Sequence, residues 1–400
     1  MEIKRNSQEV VSVSPGEQPI AYPSAMAAGK SPLLESGSGA ETYQCEIMGT
    51  KQFQKVGLVE EVSTGRTWRL AADEGTYLKG TNQAPAPLMH WGAGVHADVT
   101  SRISEIARDR TVELTWLSVK VRQGFASKGS FARGEAVAVV FDLKWEIEIN
   151  GRCEDNVLEK IVDAALASSV TVAALTSSIE GAFALHTNGR ATPVDGVIAL
   201  EGSAAKDPLR KYSRAPVPTG EVIAKDVLVS QPFAGSGGIV LSNDNPGAIG
   251  WHVDVSGGLD TATGLIRTSV GFPEVTQDRW SLLCDPAGIV APSPLAYFAI
   301  GTAFCFHTQL CRYIDVRRLS IENARLTQTS RFYREGSKDS PVPGADPFET
   351  HVFFNGRCTE AETRSLLTVA ANTCYAHRAL AVEVRADARM STNDDRVPAS

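Results

Sequence analysis

The sequence predicts an α+β fold made of two copies of one module, each a mostly antiparallel sheet packed with a buried central helix. The tetrapeptide Asn-Gly-Arg-Cys occurs at 150–153 and again at 355–358. Two further blocks repeat in the same order: Pro87-Leu88 with Gly94 matches Pro294-Leu295 with Gly301, and Trp68-Arg69-Leu70 with Asp73 matches Trp280-Ser281-Leu282 with Asp285. The offset between the copies drifts slowly along the chain, which is typical of duplication with small loop insertions.

The first copy alternates between strand-like and helix-like patterns. Period-two alternation predicts strands at 56–62, 67–70, 112–121 and 136–149. Pro87 begins an apolar run to about Ile106, which predicts a helix with proline in its first turn. Asn150-Gly151 indicates a turn, and apolar residues at helical spacing predict a second helix from about Asp155 to Leu175.

The second copy repeats this order. Strands are expected at 239–241, 251–255 and 265–270, and again around 319–330 and 349–354. A helix begins at Pro294 and passes through Cys305. Thr359-Glu-Ala-Glu362 has the pattern of a capping box, which predicts the start of the last long helix, toward Cys374. Strands followed by helices in each copy indicate helices packed on a sheet.

Composition sets the expected boundaries. The Ser-, Gly- and Pro-rich residues 1–40 are expected to be a flexible segment. The first module is expected at 41–186, a linker at 187–225, the second module at 226–390 and a tail at 391–400.

The bulk properties exclude several classes of function. The net charge of −7 argues against general affinity for nucleic acid or an anionic membrane. The most apolar window, 288–306, contains Pro292 and Pro294 and therefore fits a buried helix better than a membrane span. The N-terminus lacks a secretory pattern, and seven cysteines without framework spacing indicate a reducing cytoplasm. No cofactor fingerprint is present, so neither a cofactor nor a metal is expected.

The two copies differ at the positions that matter most chemically. The second copy carries Cys305 and Cys374, and the first carries Asp98 and Ser169 at the aligned positions. One module therefore has a pair of thiols that the other lacks. Asp98 and Ser169 are interpreted as relics of the duplication.

Two segments of the second copy resemble the OsmC/Ohr family, the osmotically inducible protein C and organic hydroperoxide resistance group. They are Ala291-Pro-Ser-Pro-Leu-Ala-Tyr-Phe-Ala-Ile-Gly-Thr-Ala-Phe-Cys305-Phe and Ala371-Asn-Thr-Cys374-Tyr-Ala-His-Arg-Ala-Leu380. The family pattern places a proline eleven residues before the first cysteine and a Cys-x5-Leu segment at the second. Family members are intertwined dimers, so the resemblance implies an intramolecular pseudo-dimer with one thiol-bearing site.

The resemblance also implies a reaction. Cys305 would attack an organic hydroperoxide or a related small electrophile, and Cys374 would resolve the sulfenic acid as a disulfide. An external dithiol reductant would then restore the thiols. Whether chains associate further into a homo-oligomer stays open.

The chain departs from the family around these thiols. Leu295 stands where peroxide reductases of the family have Glu, Leu259 stands for Arg in a Gly-Gly-Arg-Asp turn, and Tyr375 stands for Pro. A thiolate needs a cation or base nearby. His377, three residues after Cys374, is one candidate for that role; the others are His307 and Arg267.

Two other classes of function therefore stay open. One is a non-redox cysteine-nucleophile enzyme, hydrolytic or bond-cleaving, acting on a small apolar substrate. The other is a non-catalytic binding protein. A metal site from Cys305, His307, Cys374 and His377 is disfavoured because neither Cys-x2-Cys nor His-x3–5-His spacing occurs. Packing is the interpretation for the other cysteines: Cys45, Cys153, Cys284, Cys311 and Cys358.

Overall fold

The structure is a computed structural model. It describes residues 20–24, 40–200, 205–208, 222–226, 239–240, 249–337 and 340–392. Most of the expected flexible N-terminal segment, parts of the expected linker and the last residues of the expected tail lie outside the described residues.

The described residues form a mixed α+β structure with two sheets and six α-helices. The helices are α1 (Pro87–Asp109), α2 (Asp155–Ser168), α3 (Val170–Thr176), α4 (Pro294–Arg317), α5 (Glu360–Thr373) and α6 (Tyr375–Ala381), with a 3-10 turn at Thr76–Leu78. The strands are β1 (Ala21–Pro23), β2 (Ala40–Gly49), β3 (Lys55–Glu61), β4 (Arg66–Ala72), β5 (Leu114–Lys128), β6 (Val137–Gly151), β7 (Ala182–Thr187), β8 (Arg190–Thr192), β9 (Ile198–Ala199), β10 (Ile223–Asp226), β11 (Ile239–Val240), β12 (Ile249–Leu259), β13 (Ile266–Gly271), β14 (Arg279–Cys284), β15 (Ile321–Ser337), β16 (Ser340–Ala345), β17 (Glu349–Gly356) and β18 (Ala386–Ser391).

Each sheet combines strands from both halves of the chain. The first has the order β1-β4-β3-β2-β15-β17-β7-β8, with β16 on β15 and β9 on β7. The second has the order β10-β14-β13-β12-β5-β6-β18, with β11 on β12. The early strands of the first half thus join late strands of the second half through β2 and β15, and the reverse holds through β12 and β5.

Most neighbouring strands are antiparallel, as the alternation predicts. β7 pairs parallel with β17 and with β9, and β18 pairs parallel with β6. The β7–β17 and β6–β18 pairs join segments far apart in the chain, whereas β7 and β9 are connected by residues 188–197, which include β8.

The two long helices lie between the sheets and pack on each other. α4 contacts β2, β3 and β15 of the first sheet, and α1 contacts β5, β12 and β13 of the second. Their crossing depends on two glycines. A Cβ on Gly94 would lie 2.5 Å from the Phe298 nitrogen, and one on Gly301 would lie 2.4 Å from the Trp91 nitrogen. The repeated glycine of each copy therefore lets the other copy's helix approach closely.

Local sequence signals explain how the helices begin. Pro87 and Pro294 occupy the first turns of α1 and α4, where a missing N–H costs nothing. The Ser293 side chain caps α4 by accepting from the Ala296 N–H. The expected capping box of Thr359 and Glu362 is present at the start of α5.

The single helix expected at 155–175 is instead two helices. The chain is extended at Ser169, whose hydroxyl accepts from the Val172 N–H and so caps α3. The second half breaks in the same way at Cys374, between α5 and α6. Apolar periodicity continues through both breaks, which is why it predicted one helix.

Three expected irregular segments contain ordered strands. In the expected N-terminal segment, β1 pairs with β4. In the expected linker, β8 and β9 pair with β7. At the start of the expected tail, β18 continues to Ser391 on β6. Edge positions order these polar segments through backbone hydrogen bonds, which leave little trace in side-chain patterning. Within the described ranges, no helix has the length and apolar character needed to cross a membrane.

Candidate active site

Cys305 lies in the middle of α4 and borders a cavity. The helix is buried over most of its length because it lies between a sheet and α1. The Cys305 side chain is 3% exposed, and that small area faces a cavity of about 150 Å³. A small molecule in this cavity could therefore reach the sulfur.

Cys374 occupies the break between α5 and α6. Its sulfur caps α6 by accepting from the backbone N–H of His377, at 3.5 Å. The Nδ1 atom of His377 lies 3.2 Å from the same sulfur. Cys374 is fully buried and is not part of the cavity wall.

The structure brings the two thiols together. The Cys305 and Cys374 side chains lie close enough to interact. Burial raises the pKa of the Cys374 thiol well above its usual value, and the contact with Cys305 raises it further. Cys374 is therefore a protonated thiol behind the sulfur that faces the cavity.

The cavity is mostly apolar, and aromatic side chains form much of its wall. The walls come from both halves of the chain, and the most exposed lining residues, Tyr77 and Val275, mark its opening. The lining residues are Glu74, Tyr77, Leu78, Ala86, Pro87, Leu88, Trp251, Phe272, Val275, Cys305, Thr308, Gln309, Arg312 and Tyr375. An apolar pocket with a few convergent polar groups is the usual form of a small-molecule site.

Charged groups stand at one side of the cavity. The Glu74 carboxylate accepts from the Thr308 hydroxyl at 2.7 Å and lies 3.8 Å from the Lys55 ammonium. Lys55 also donates to the Thr308 hydroxyl at 2.7 Å, although its side chain is buried. On the next turn of α4, Arg312 donates to the Gln309 side chain at 2.8 Å.

The predicted accessory residues lie in different places. His377 contacts Cys374, and burial lowers the pKa of His377 to about 3, so its ring is neutral at physiological pH. His307 donates from Nε2 to the Ala324 carbonyl at 2.8 Å and faces Cys311 rather than Cys305. Arg267 is on β13, where it donates to the Ser281 hydroxyl, and it does not line the cavity.

The aligned positions of the first half form a polar cluster. Asp98 accepts at 2.6 Å from the Ser169 hydroxyl and at 2.9 Å from the Thr171 hydroxyl. The backbone N–H of Thr171 also donates to Asp98, and the Arg334 guanidinium lies 3.3 Å from it. Arg334 in turn pairs with Glu41 at 3.2 Å. Hydrogen bonds and ion pairs among the protein's own side chains therefore occupy this part of the first half.

Sequence reasoning missed several residues around the cavity. Thr308, Gln309 and Arg312 follow Cys305 by three, four and seven positions, so helical spacing alone could have placed them beside it. Glu74 and Lys55 had no such signal. They belong to the first half, and only the exchange of strands between halves brings them to a cysteine of the second.

The remaining cysteines are also free thiols. Burial raises the pKa of Cys45 and Cys284, and it raises the pKa of Cys311 to about 11. Among the described residues, no three His, Cys, Asp or Glu side chains are placed to hold a metal ion together.

Comparisons with known proteins give little further information. No protein-family model matches the chain, and no curated protein matches it. Among solved structures, the chain is similar to an OsmC-like hydroperoxide resistance protein from Jannaschia sp. CCS1. The identity is 18%, with 34% of this chain and 85% of that chain covered, and the TM-score is 0.21. The likeness is loose at this TM-score, so the chemistry of the site rests on its own residues.

Proposed function

We propose that the chain reduces small organic hydroperoxides, or related electrophiles, with Cys305 as the attacking thiol and Cys374 as the resolving thiol. The observation that carries the proposal is the division between the two sulfurs. Cys305 borders an apolar cavity, and Cys374 lies beside it on the buried side. A substrate in the cavity can contact the Cys305 sulfur, and the Cys374 sulfur lies close enough to react with Cys305 afterwards.

The first step transfers one oxygen atom. The Cys305 thiolate attacks an oxygen of the hydroperoxide, a sulfur–oxygen bond forms and the O–O bond breaks. The sulfur loses two electrons and becomes a sulfenic acid, and the alkoxide takes up a proton and leaves as an alcohol. Arg312 and Glu74 line the same cavity as Cys305, and Glu74 is paired with Lys55.

The second step forms a disulfide. The Cys374 sulfur attacks the oxidised Cys305 sulfur, a disulfide bond forms and water leaves. The proton of the Cys374 thiol passes to the hydroxide that leaves Cys305 and departs as water, while His377 Nδ1, 3.2 Å from the Cys374 sulfur, orients the thiol. An external dithiol would then reduce the disulfide and complete the cycle.

The site fits a larger proposal about the fold, an intramolecular pseudo-dimer of two OsmC-like modules. Two observations support it. Early strands of each half pair with late strands of the other, and Gly94 and Gly301 make reciprocal close contacts between α1 and α4. In a two-fold interface, equivalent residues of the two sides make equivalent contacts with each other's side. We also propose a cytoplasmic location, supported by seven free thiols.

One observation favours a second candidate function. A thiol 3.2 Å from a neutral imidazole nitrogen, as in Cys374 and His377, is also the arrangement of a non-redox cysteine nucleophile. Cys374 would have to become accessible for this role, because it is fully buried and the cavity reaches Cys305 instead. The peroxide reaction uses both thiols where they lie.

The test is a non-reducing peptide map and an intact mass before and after one equivalent of cumene hydroperoxide. We expect a mass loss of two hydrogens and a peptide linked through Cys305 and Cys374. In Cys374→Ser, Cys305 should instead accumulate as sulfenic and sulfinic acid. Cys311→Ser, on the same helix, is the matched control and should behave as wild type. Unchanged thiols in wild type would reject the redox function and favour the second candidate or a non-catalytic binding role.

A further inference from the structure

Arg312 is a charged lining group without an acidic partner among the described residues. Its guanidinium donates to the neutral Gln309 side chain at 2.8 Å and lies 4.3 Å from the centre of the Phe131 ring. Both contacts orient the guanidinium and leave its charge uncompensated. A half-buried arginine in this state is well suited to bind an anion.

The other charged groups of the cavity compensate each other. Glu74 lies beside Lys55 and accepts from Thr308. The charge of the lining residue Glu74 is therefore balanced by Lys55 behind the wall, and the charge of Arg312 has no acidic counterpart among the described lining residues. An anionic ligand would neutralise the charge of Arg312, and a cationic ligand would add to the positive charge of the cavity.

The size and walls of the cavity limit the rest of the ligand. A cavity of about 150 Å³ matches the size of an engineered cavity that binds one benzene molecule. Trp251 lies edge-on to Tyr375, with ring centres 5.2 Å apart, and edge-on to Phe272 at the same distance. Such a wall favours a flat aromatic group.

We propose that the substrate is a compact aromatic hydroperoxide that carries a carboxylate, and that Arg312 binds this carboxylate. The inference rests on the proposed function for the peroxide group and adds the class of substrate. The ring would occupy the aromatic part of the cavity, and the hydroperoxide would face Cys305. A carboxylate can accept two parallel N–H bonds from one guanidinium, which fixes its orientation.

The competing role for Arg312 is to stabilise the Cys305 thiolate. That role would affect every hydroperoxide equally, because the thiolate is common to all of them. Recognition of a carboxylate would affect only substrates that carry one. A matched pair of ligands therefore separates the two roles.

The first experiment measures binding without peroxide chemistry. Isothermal titration compares 2-phenylpropan-2-ol with its 4-carboxylate, on wild type, Arg312→Gln and Arg317→Gln. We expect wild type to prefer the carboxylate and Arg312→Gln to lose about 10- to 100-fold in affinity for it alone, the range for a hydrogen bond to a charged group. Arg317, on the same helix and near the Tyr313 ring, is the matched control and should keep the preference.

The second experiment compares turnover of cumene hydroperoxide and its 4-carboxylate. Arg312→Gln should lower kcat/KM for the carboxylate about 10- to 100-fold more than for the uncharged substrate. Equal losses for both would overturn recognition in favour of thiolate stabilisation, and so would equal binding of both alcohols by wild type. Carboxylate-selective binding without any peroxide turnover would support recognition and reject the proposed function. If Arg312→Gln does not fold, Arg312→Lys takes its place. Lysine keeps the charge but loses the paired N–H donors, so kcat/KM should again fall more for the carboxylate than for the uncharged substrate, by a smaller factor.

Discussion

The two halves of the chain place different chemistry at the same position of the fold. In the second half, Cys305 and Cys374 meet beside an open cavity. In the first half, Asp98 and Ser169 meet at 2.6 Å in a cluster closed by Arg334. The backbone is the same in one detail: Cys374 and Ser169 both cap a short helix after a break.

This difference distinguishes a structural role for Asp98 and Ser169 from a chemical role for Cys305 and Cys374. Asp98 has a donor for each of its oxygens and is almost fully buried, which is the condition of a stabilising polar group. The Cys305 sulfur faces space that a ligand can enter. The first-half position is thus part of the core, and only the second-half position borders a cavity.

The largest expected effect comes from removing the sulfur that borders the cavity. Cys305→Ser should lower kcat/KM for hydroperoxide reduction by roughly 10³-fold or more, because no sulfur then borders the cavity. A peroxide-consumption assay coupled to a dithiol measures it. Cys311→Ser should retain activity, and substantial activity in Cys305→Ser would place the nucleophile elsewhere.

A smaller effect is expected at the histidine that the first half lacks. His377→Gln should slow disulfide formation by up to about 10²-fold, because Cys374 loses the imidazole nitrogen, 3.2 Å from its sulfur, that orients the thiol. The rate of sulfenic acid formation at Cys305, trapped with dimedone, should change little. His307→Gln is the control, since that ring faces Ala324 and Cys311. Equal slowing of both steps would show that His377 only supports the structure.

The first-half cluster should affect stability rather than activity. Asp98→Ala should lower the free energy of unfolding by about 3 kcal/mol, because it leaves buried donors and Arg334 without an acceptor. Arg334 is 25% exposed, so solvent compensates part of the loss. Urea unfolding measures the change. Asp254→Ala, which removes ion pairs at the outer sheet surface, is the control and should lower the free energy of unfolding by under about 1 kcal/mol. Loss of peroxide reduction in Asp98→Ala would contradict a purely structural role for the first-half cluster.

Both central helices should share a sensitivity to acid. Burial lowers the pKa of His96 in α1 and of His307 in α4 to about 4. The unfolded chain then binds more protons between pH 6.5 and 4, so this stability is present above pH 6.5 and is lost as pH falls. Each histidine should contribute up to about 1.4 kcal/mol per pH unit within that window. Urea unfolding at pH 7.5, 6 and 5 measures how steeply the free energy of unfolding falls as pH is lowered. The fall should be less steep in His96→Gln. Equal stability at all three values would refute the expectation.

Local features were readily predicted from the sequence. Pro87 and Pro294 mark the beginnings of the two central helices, and Thr359 with Glu362 marks that of α5. Each signal acts within one turn of backbone and does not depend on distant residues. The breaks at Ser169 and Cys374 were missed because apolar spacing continues across them. β18 was missed because backbone pairing at a sheet edge leaves no apolar pattern.

What the sequence determined by itself is the set of repeated motifs, most of the order of helices and strands, and the presence of a thiol pair in the second half only. These follow from repeats, periodicity and residue identity, which are properties of neighbouring positions. The tertiary structure alone decided that β2 joins β15 and β5 joins β12. That exchange brings Lys55 and Glu74 of one half close to Cys305 of the other. The physical reason is that strand partners and cavity walls are set by packing between residues hundreds of positions apart, which no local pattern encodes.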